Sequence, residues 1–274
     1  MSAPLRRVLL RRPSRTGDFL AADWRQPDTA ELAAQHDAFA ALLESLGCEV
    51  SVAPALDGLV DSCYIRDPAL VTARGAVLFQ MAKPVRRTEP DALADAFAAA
   101  GVPVLARLEG DAFADGGDMV WLDSETLLVG RSYRTNAAAV ATLRAVLSAE
   151  GVRVESVDLP HDRGPEHVLH LMSVLSPIAD DLAVVHPPLV PVPLMEDLAA
   201  RSVTLVEVDP GEYATLGCNV LATRPREVVL AGGNPRTRAA LERHGCTVHE
   251  YPASEISVKG DGGPTCLTQP LWRA

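Results

Sequence analysis

The stretch NAAAVATLRAVLSAEGVRV, residues 136–154, reads as one helix delivered into one short G-x-V strand. Asn136 is a good helix cap, the alanine- and leucine-rich run behind it favours helix, and Gly151 suits the left-handed residue after the last turn. The same unit recurs as ELAAQHDAFAALLESLGCEV (31–50), PDALADAFAAAGVPV (90–104) and NPRTRAALERHGCTVHEY (234–251). A weaker fifth copy, MEDLAARSVTLVEV (195–208), has serine where the others have glycine. Asn234 is a second candidate cap, Pro90 and Pro235 suit a first turn, and Gly47, Gly101 and Gly245 suit the terminating position. The glycines fall 54, 50 and 94 residues apart, the last interval being two repeats. A fixed period of this kind marks a repeat architecture.

Between the helices lie paired apolar runs around polar turns, each reading as a β-hairpin. They are ALVTARGAVLFQM (69–81), MVWLDSETLLVG (119–130), LMSVLSPIADDLAVVH (171–186) and VLATRPREVVLAGG (220–233). The fifth hairpin is missing as a continuous segment. The two leftover strands, RRVLLRRP (6–13) and CLTQPLWR (266–273), belong to the two ends of the chain. Their pairing would close a ring, so the expected fold is a five-bladed, pseudo-symmetric α/β propeller forming one domain over residues 1–274.

In a propeller, equivalent positions converge on the axis. The residues just ahead of each hairpin's first strand are Asp67, Asp118, His170, Asn219 and Cys266, spaced by 51, 52, 49 and 47. A cysteine, a histidine, two carboxylates and an amide in one pocket supply a nucleophile, a base and a clamp for a cation. His161, His167 and His170 are spaced in a way that only vaguely suggests a metal, and no cysteine pair or HExxH accompanies them. No metal and no cofactor is therefore expected. Cys48 and Cys246 sit at matching strand positions and read as packing residues, while Cys63 and Cys218 lie near the hub without a distinctive setting. Gly260, Gly262 and Gly263, just before Cys266, read as a mobile loop over the pocket or as the permit for a tight turn.

Composition narrows the partners. A formal net charge of -11 disfavours nucleic acid and anionic membrane, both of which need basic surface, and would steer a cationic substrate favourably. Five cysteines without CxxC do not read as disulfides or zinc knuckles, and no signal-peptide core or long apolar run is present. A cytoplasmic protein is expected, with a homodimer left open.

At the hub residues the sequence resembles the guanidine-modifying, or pentein, superfamily, and most closely the dimethylarginine dimethylaminohydrolases. The likeness runs over nearly the whole chain and is strongest at DSCYIRDP (61–68), DGGDMVWL (115–122), GRSYRTN (130–136), LHLMS (169–173), GCNVL (217–221) and SEISVKGDGGPTCL (254–267). The resemblance implies a hydrolase acting on a free guanidino or ureido amino acid through a cysteine-bound intermediate, dimethylarginine being the leading substrate. It assigns Cys266 as nucleophile, His170 as general acid/base, and Asp67 and Asp115 as carboxylates that hold the guanidinium. Asp61 would lie near the substrate's α-amino group, and Arg86 and Arg134 at its α-carboxylate. Asp118, by its place at the hub rather than by the resemblance, is expected to position His170 or Cys266 or to serve the hub structurally. Citrulline hydrolysis, arginine deimination or dihydrolysis, and amidino transfer are alternatives. A non-catalytic binding protein, like the ribosome-associated initiation factor that shares the fold, would not need such a hub.

Two positions depart from the resembling enzymes. Asp115 stands where they commonly carry glutamate, one methylene longer. Arg66 stands where several carry another acid. At about 4 Å and an effective dielectric near 20, a reversed charge is worth roughly 4 kcal/mol per pair. Arg66 is thus expected either to turn away into an ion pair or to accompany a neutral ureido substrate.

Overall fold

A computed structural model describes residues 2–274. It contains five three-stranded sheets, each built alike: an antiparallel hairpin, then a helix, then a third strand parallel to the hairpin's second strand. Parallel neighbours require such a crossover, which is what each helix-to-strand repeat provides. Four sheets are continuous in sequence. They are Ala69–Thr72 with Gly75–Leu78 and Val104–Arg107, and Met119–Trp121 with Thr126–Arg131 and Arg153–Asp158. The others are Leu175–Ala179 with Leu182–Val185 and Thr204–Glu207, and Leu221–Arg224 with Glu227–Ala231 and Thr247–Tyr251.

The fifth sheet joins the chain ends. Gln269–Arg273 pairs antiparallel with Leu5–Arg11, which pairs parallel with Glu49–Ala53. The fold is therefore the expected five-bladed α/β propeller, closed by its first and last strands.

Each of the five crossover helices, Thr29–Ser45, Glu89–Ala99, Ala137–Ser148, Val192–Ala200 and Pro235–Arg243, buries one stripe. The stripes contain Leu32, Phe39 and Leu43; Leu93 and Phe97; Val140, Leu143 and Leu147; Leu194 and Leu198; and Leu241. These spacings of three, four and seven are those of one helical face. Side chains also stitch neighbouring blades near the axis. Gln269 Nε2 donates to the carbonyls of Ile65, Arg66 and Ala69, and Ser176 Oγ donates to Cys218 O while accepting from Val220 N. Among the described residues no helix is long and apolar enough to cross a membrane.

The helix ends follow the sequence with one exception. Asn136 caps its helix by accepting from Ala139 N, and Gly47, Gly101, Gly151 and Gly245 all have positive φ. Asn234 does not cap. Its side chain instead bonds Thr215 and the carbonyl of Ala231, and Glu212 accepts from Arg236 N and Thr237 N at that helix start. A carboxylate from an adjoining loop thus does what the local asparagine was expected to do.

Ser202 holds the fifth terminating position with φ of 59°. An L-residue there is strained, commonly by about 1 kcal/mol relative to glycine. Ser202→Gly is expected to raise unfolding free energy by roughly 0.5–1 kcal/mol, whereas Gly151→Ala should lower it by a similar amount. Urea denaturation of the two variants checks both signs.

Candidate active site

The five hub residues gather where the inner strands begin. The Cys266 thiol lies within hydrogen-bonding reach of Asn219 Nδ2, at 3.6 Å, and Asn219 Oδ1 accepts from Thr265 N and Thr265 Oγ1. Asn219 therefore braces the strand entry that carries the thiol. Burial, followed by the negative charge of Asp67, pushes the thiol up to about 11, against the hydrogen bonds it receives.

Asp67 is held on both oxygens. Oδ1 accepts from Gly117 N at 3.1 Å, and Oδ2 pairs with Arg86 Nη1 at 2.6 Å. Burial opposes its ionisation, but Arg86 and then His170 outweigh it, so its carboxyl lies below the ordinary range. Arg86 in turn grips Glu89 with Nε and Nη2 and donates to the carbonyls of Asp61 and Tyr64. Every nitrogen of this guanidinium has a protein partner. Arg86 was expected at a substrate α-carboxylate; as folded, it holds Asp67 and Glu89. The physical reason is burial, since both Arg86 and Glu89 are almost fully enclosed and their charges must be paired. Glu89 was missed in the sequence, although its three-residue spacing from Arg86 was a readable signal.

His170 is fixed by its backbone and its face. Its N–H donates to Ser173 Oγ, and its ring packs on Gly117. Nε2 lies 3.5 Å from Asp115 Oδ2, an ion-pair distance. Burial alone would lower its pKa, but Asp118 first, then Asp115 and Asp67, raise it to about 9. Asp118 makes no direct contact with the ring. Its Oδ1 accepts from Leu171 N, next to His170, and its Oδ2 accepts from Ser132 Oγ. Ser132 also accepts from the backbone of Arg134 and Thr135, so one turn positions Asp118 and Arg134 together.

Asp115 is fully buried. Oδ2 accepts from Arg134 Nη1 at 3.3 Å, while Oδ1 has no hydrogen-bond partner among the described residues. A buried carboxylate oxygen left unpartnered costs about 1–3 kcal/mol, so a donor that reached this oxygen would be stabilising. His170 Nε2 is likewise without a hydrogen-bond partner. Asp67 and Asp115 thus both bear on one imidazole, and Asp67 bears on the thiol as well.

Asp61 sits at the edge of this network. Its Oδ1 accepts from Trp24 Nε1 and its Oδ2 from Lys83 Nζ, both at 2.8 Å. Neither Trp24 nor Lys83 carried any sequence signal, because each is brought in from a separate segment. The Gly260–Gly263 run is a close-packed strap: a Cβ on Gly260 or Gly262 would fall 2.1–2.4 Å from Tyr64 or Trp24, and one on Gly263 would fall 2.4 Å from Asn219. These glycines permit close approach to Tyr64, Trp24 and Asn219.

Arg66 does not enter the ion pair that one sequence alternative called for. It turns to the carbonyls of Gly116 and Met119 at 3.4 and 3.1 Å and enters no ion pair among the described residues. Cys48, Cys63, Cys218 and Cys246 are buried thiols, and His161 bonds Tyr133 Oη.

Gly117→Ala is the sharpest structural test of the ring's placement. An added Cβ would fall 2.2 Å from His170 Nδ1, which forces the imidazole out of position. Turnover is expected to drop about 100-fold, a scale consistent with misplacing a proton-transfer group. Steady-state kinetics on the folded variant measure it.

Over residues 18–273 the chain matches the family described as N,N dimethylarginine dimethylhydrolase, eukaryotic. It is 30% identical to the uncharacterized protein YkgA of Bacillus subtilis over 239 residues, covering 87% of this chain and 79% of that protein. It is 26% identical to the N(G),N(G)-dimethylarginine dimethylaminohydrolase of Pseudomonas aeruginosa, covering 95% of this chain and 97% of that enzyme. It is also 29% identical to an arginine deiminase of Listeria welshimeri across 80% of this chain, which spans 63% of that longer enzyme.

The Pseudomonas aeruginosa dimethylarginine enzyme, solved in complex with citrulline, superposes with a TM-score of 0.82 at 23% identity, covering 97% of this chain and 98% of that one. The N-terminal domain of ArgZ, an arginine dihydrolase of cyanobacteria bound to its product, superposes with a TM-score of 0.82 at 18% identity, covering 97% of each chain. These likenesses identify the shared fold.

Proposed function

The chain belongs to the N,N-dimethylarginine dimethylhydrolase family, and on that premise we propose that it hydrolyses dimethylarginine to citrulline and dimethylamine. As a guanidino hydrolase of the dimethylarginine and arginine deiminase type, it breaks a C–N bond; the substrate and the roles of individual residues are our reading. The observation that carries this reading is the buried cluster itself: Asp67 and Asp115 both act on His170, Asp67 also acts on the Cys266 thiol, and Asp115 Oδ1 has no hydrogen-bond partner among the described residues. Two buried carboxylates in one cluster suit a planar cation with several N–H donors.

In the proposed reaction Asp67 and Asp115 hold the guanidinium. The incoming cation favours ionisation of Cys266, whose thiol otherwise keeps its proton at neutral pH. Its sulfur adds to the central guanidino carbon. His170 gives its proton to the departing dimethylamine as the C–N bond breaks, leaving an S-alkylthiouronium. Neutral His170 then takes a proton from water, the hydroxide adds to the same carbon, and the C–S bond breaks to release citrulline and restore the thiol. Asp118 acts as a positioning residue, through the Leu171 amide and through its charge. Arg86 fixes Asp67.

Arginine is the second reading, supported by the arginine deiminase relative. Mass spectrometry after separate incubation with asymmetric dimethylarginine, arginine and citrulline distinguishes them. Citrulline and dimethylamine from the first substrate are expected. Citrulline from arginine alone would establish the second reading, and ornithine from citrulline would overturn both.

The pH dependence follows from His170. Because it must be protonated to serve the leaving amine, kcat/KM is expected to fall above about pH 9. Asp118→Asn should move that limb to lower pH by removing the largest charge that sustains the imidazolium. The same proton couples to folding. His170 binds it more tightly in the native state, so this contribution to stability is full below about pH 6.5 and is lost as pH rises through about 9.

A further inference from the structure

A cavity of about 400 Å³ is not lined by Cys266. It lies along the propeller axis, lined by the bodies of the five inner strands beyond their hub residues, with walls that include Leu70, Val120, Leu175 and Leu221. Into this apolar chamber come two guanidinium groups, Arg66 and Arg273.

Arg66 feels the negative charge of Asp67 but makes no direct ion pair with it. Arg66 is only 9% exposed and donates to two carbonyls, while Arg273 Nη1 donates to Ala3 O at 2.7 Å. Among the described residues neither forms an ion pair, and Glu150, half-buried at the cavity wall, pairs with neither. Desolvation lowers both arginines to about 10, and for Arg273, which keeps part of its surface in solvent, the positive charge of Arg66 adds to the effect. Buried charges are ordinarily paired, because desolvation is otherwise uncompensated. Two mutually repelling cations in an otherwise acidic chain call for an anion from outside.

We propose that this chamber is a second ligand site, which takes a small organic carboxylate with an apolar body, its head group between Arg66 and Arg273. The volume falls within the usual range for small-molecule pockets, and the apolar walls match an aliphatic tail that an inorganic anion lacks. The site is also wired to the thiol. Arg66 N donates to Cys266 O at 3.1 Å, and Thr265, which lines the chamber, bonds the Asn219 that contacts Cys266. A carboxylate neutralising Arg66 would remove positive potential behind the sulfur and make it less acidic. This inference does not depend on which guanidine the enzyme hydrolyses.

The test is titration of the full chain with sodium octanoate, followed by calorimetry and tryptophan fluorescence. Trp121 and Trp272, two of the three tryptophans, line the chamber and report its occupancy. One saturable site per chain is expected, with at least tenfold weaker binding in Arg273→Met and in Arg66→Met, and for 1-octanol in the unaltered protein. Met172→Glu, which places a carboxylate in the chamber wall, should weaken octanoate similarly and keeps the test decisive if Arg66→Met does not fold. Alkylation of Cys266 by iodoacetamide should slow as the site fills. Absence of a saturable site, affinity unchanged in the folded arginine variants, or inorganic phosphate binding as tightly as octanoate would overturn the proposal.

Discussion

Replacing Cys266 by serine is expected to lower kcat/KM by roughly 10⁴-fold or more while leaving the fold intact. The magnitude is that seen when an enzyme loses its covalent nucleophile but keeps its binding groups. A serine hydroxyl is far harder to ionise than even this elevated thiol, and the side chains within hydrogen-bonding reach of the sulfur, Asn219 and Thr265, are not bases. The structural cost should be small, because Cys266 is partly exposed and serine differs by one atom. Thermal melting within a few degrees of the parent, together with lost product formation, would separate chemistry from misfolding. Product formation at an undiminished rate would rule out the covalent pathway.

Replacing Arg86 by methionine should have the largest effect on stability. The variant leaves Asp67 and Glu89 buried without their shared cation, a change that typically costs about 3–5 kcal/mol. Against a total of about 5–15 kcal/mol for a folded domain, that is a large fraction. The loss should deepen with rising pH. Burial holds the Glu89 carboxyl at about 7 despite the opposing charge of Arg86, so without Arg86 ionisation becomes still harder. A carboxyl whose folded pKa is raised contributes its full stability below the unfolded value, near 4.3, and loses it as pH rises through the folded one. Guanidinium denaturation at pH 5 and pH 8 measures the difference. Adding Glu89→Gln to the variant should recover part of the loss, because it removes one of the two stranded charges. An Arg86→Met protein as stable as the parent at both pH values would refute the role of Arg86 as the buried anchor of Asp67.

Much of this protein is written in local patterns. The helix-to-strand period, the terminating glycines and the alternating hairpins depend on residues a few positions apart, so the five blades and their closure by the chain ends were legible without coordinates. So were the hub positions Asp67, Asp118, His170, Asn219 and Cys266, because pseudo-symmetry carries equivalent positions to the axis. What the sequence alone left undetermined was the direction of long charged side chains. Arg86 turns inward to Asp67 and Glu89, Lys83 and Trp24 converge on Asp61, and Arg66 enters the axial chamber beside Arg273. Apart from Arg86 and Glu89, three residues apart, these pairings span separate segments and are decided by which charges the folded blades bury together. The desolvation cost of a buried charge depends on three-dimensional packing, and that packing, rather than any local motif, chose the partners.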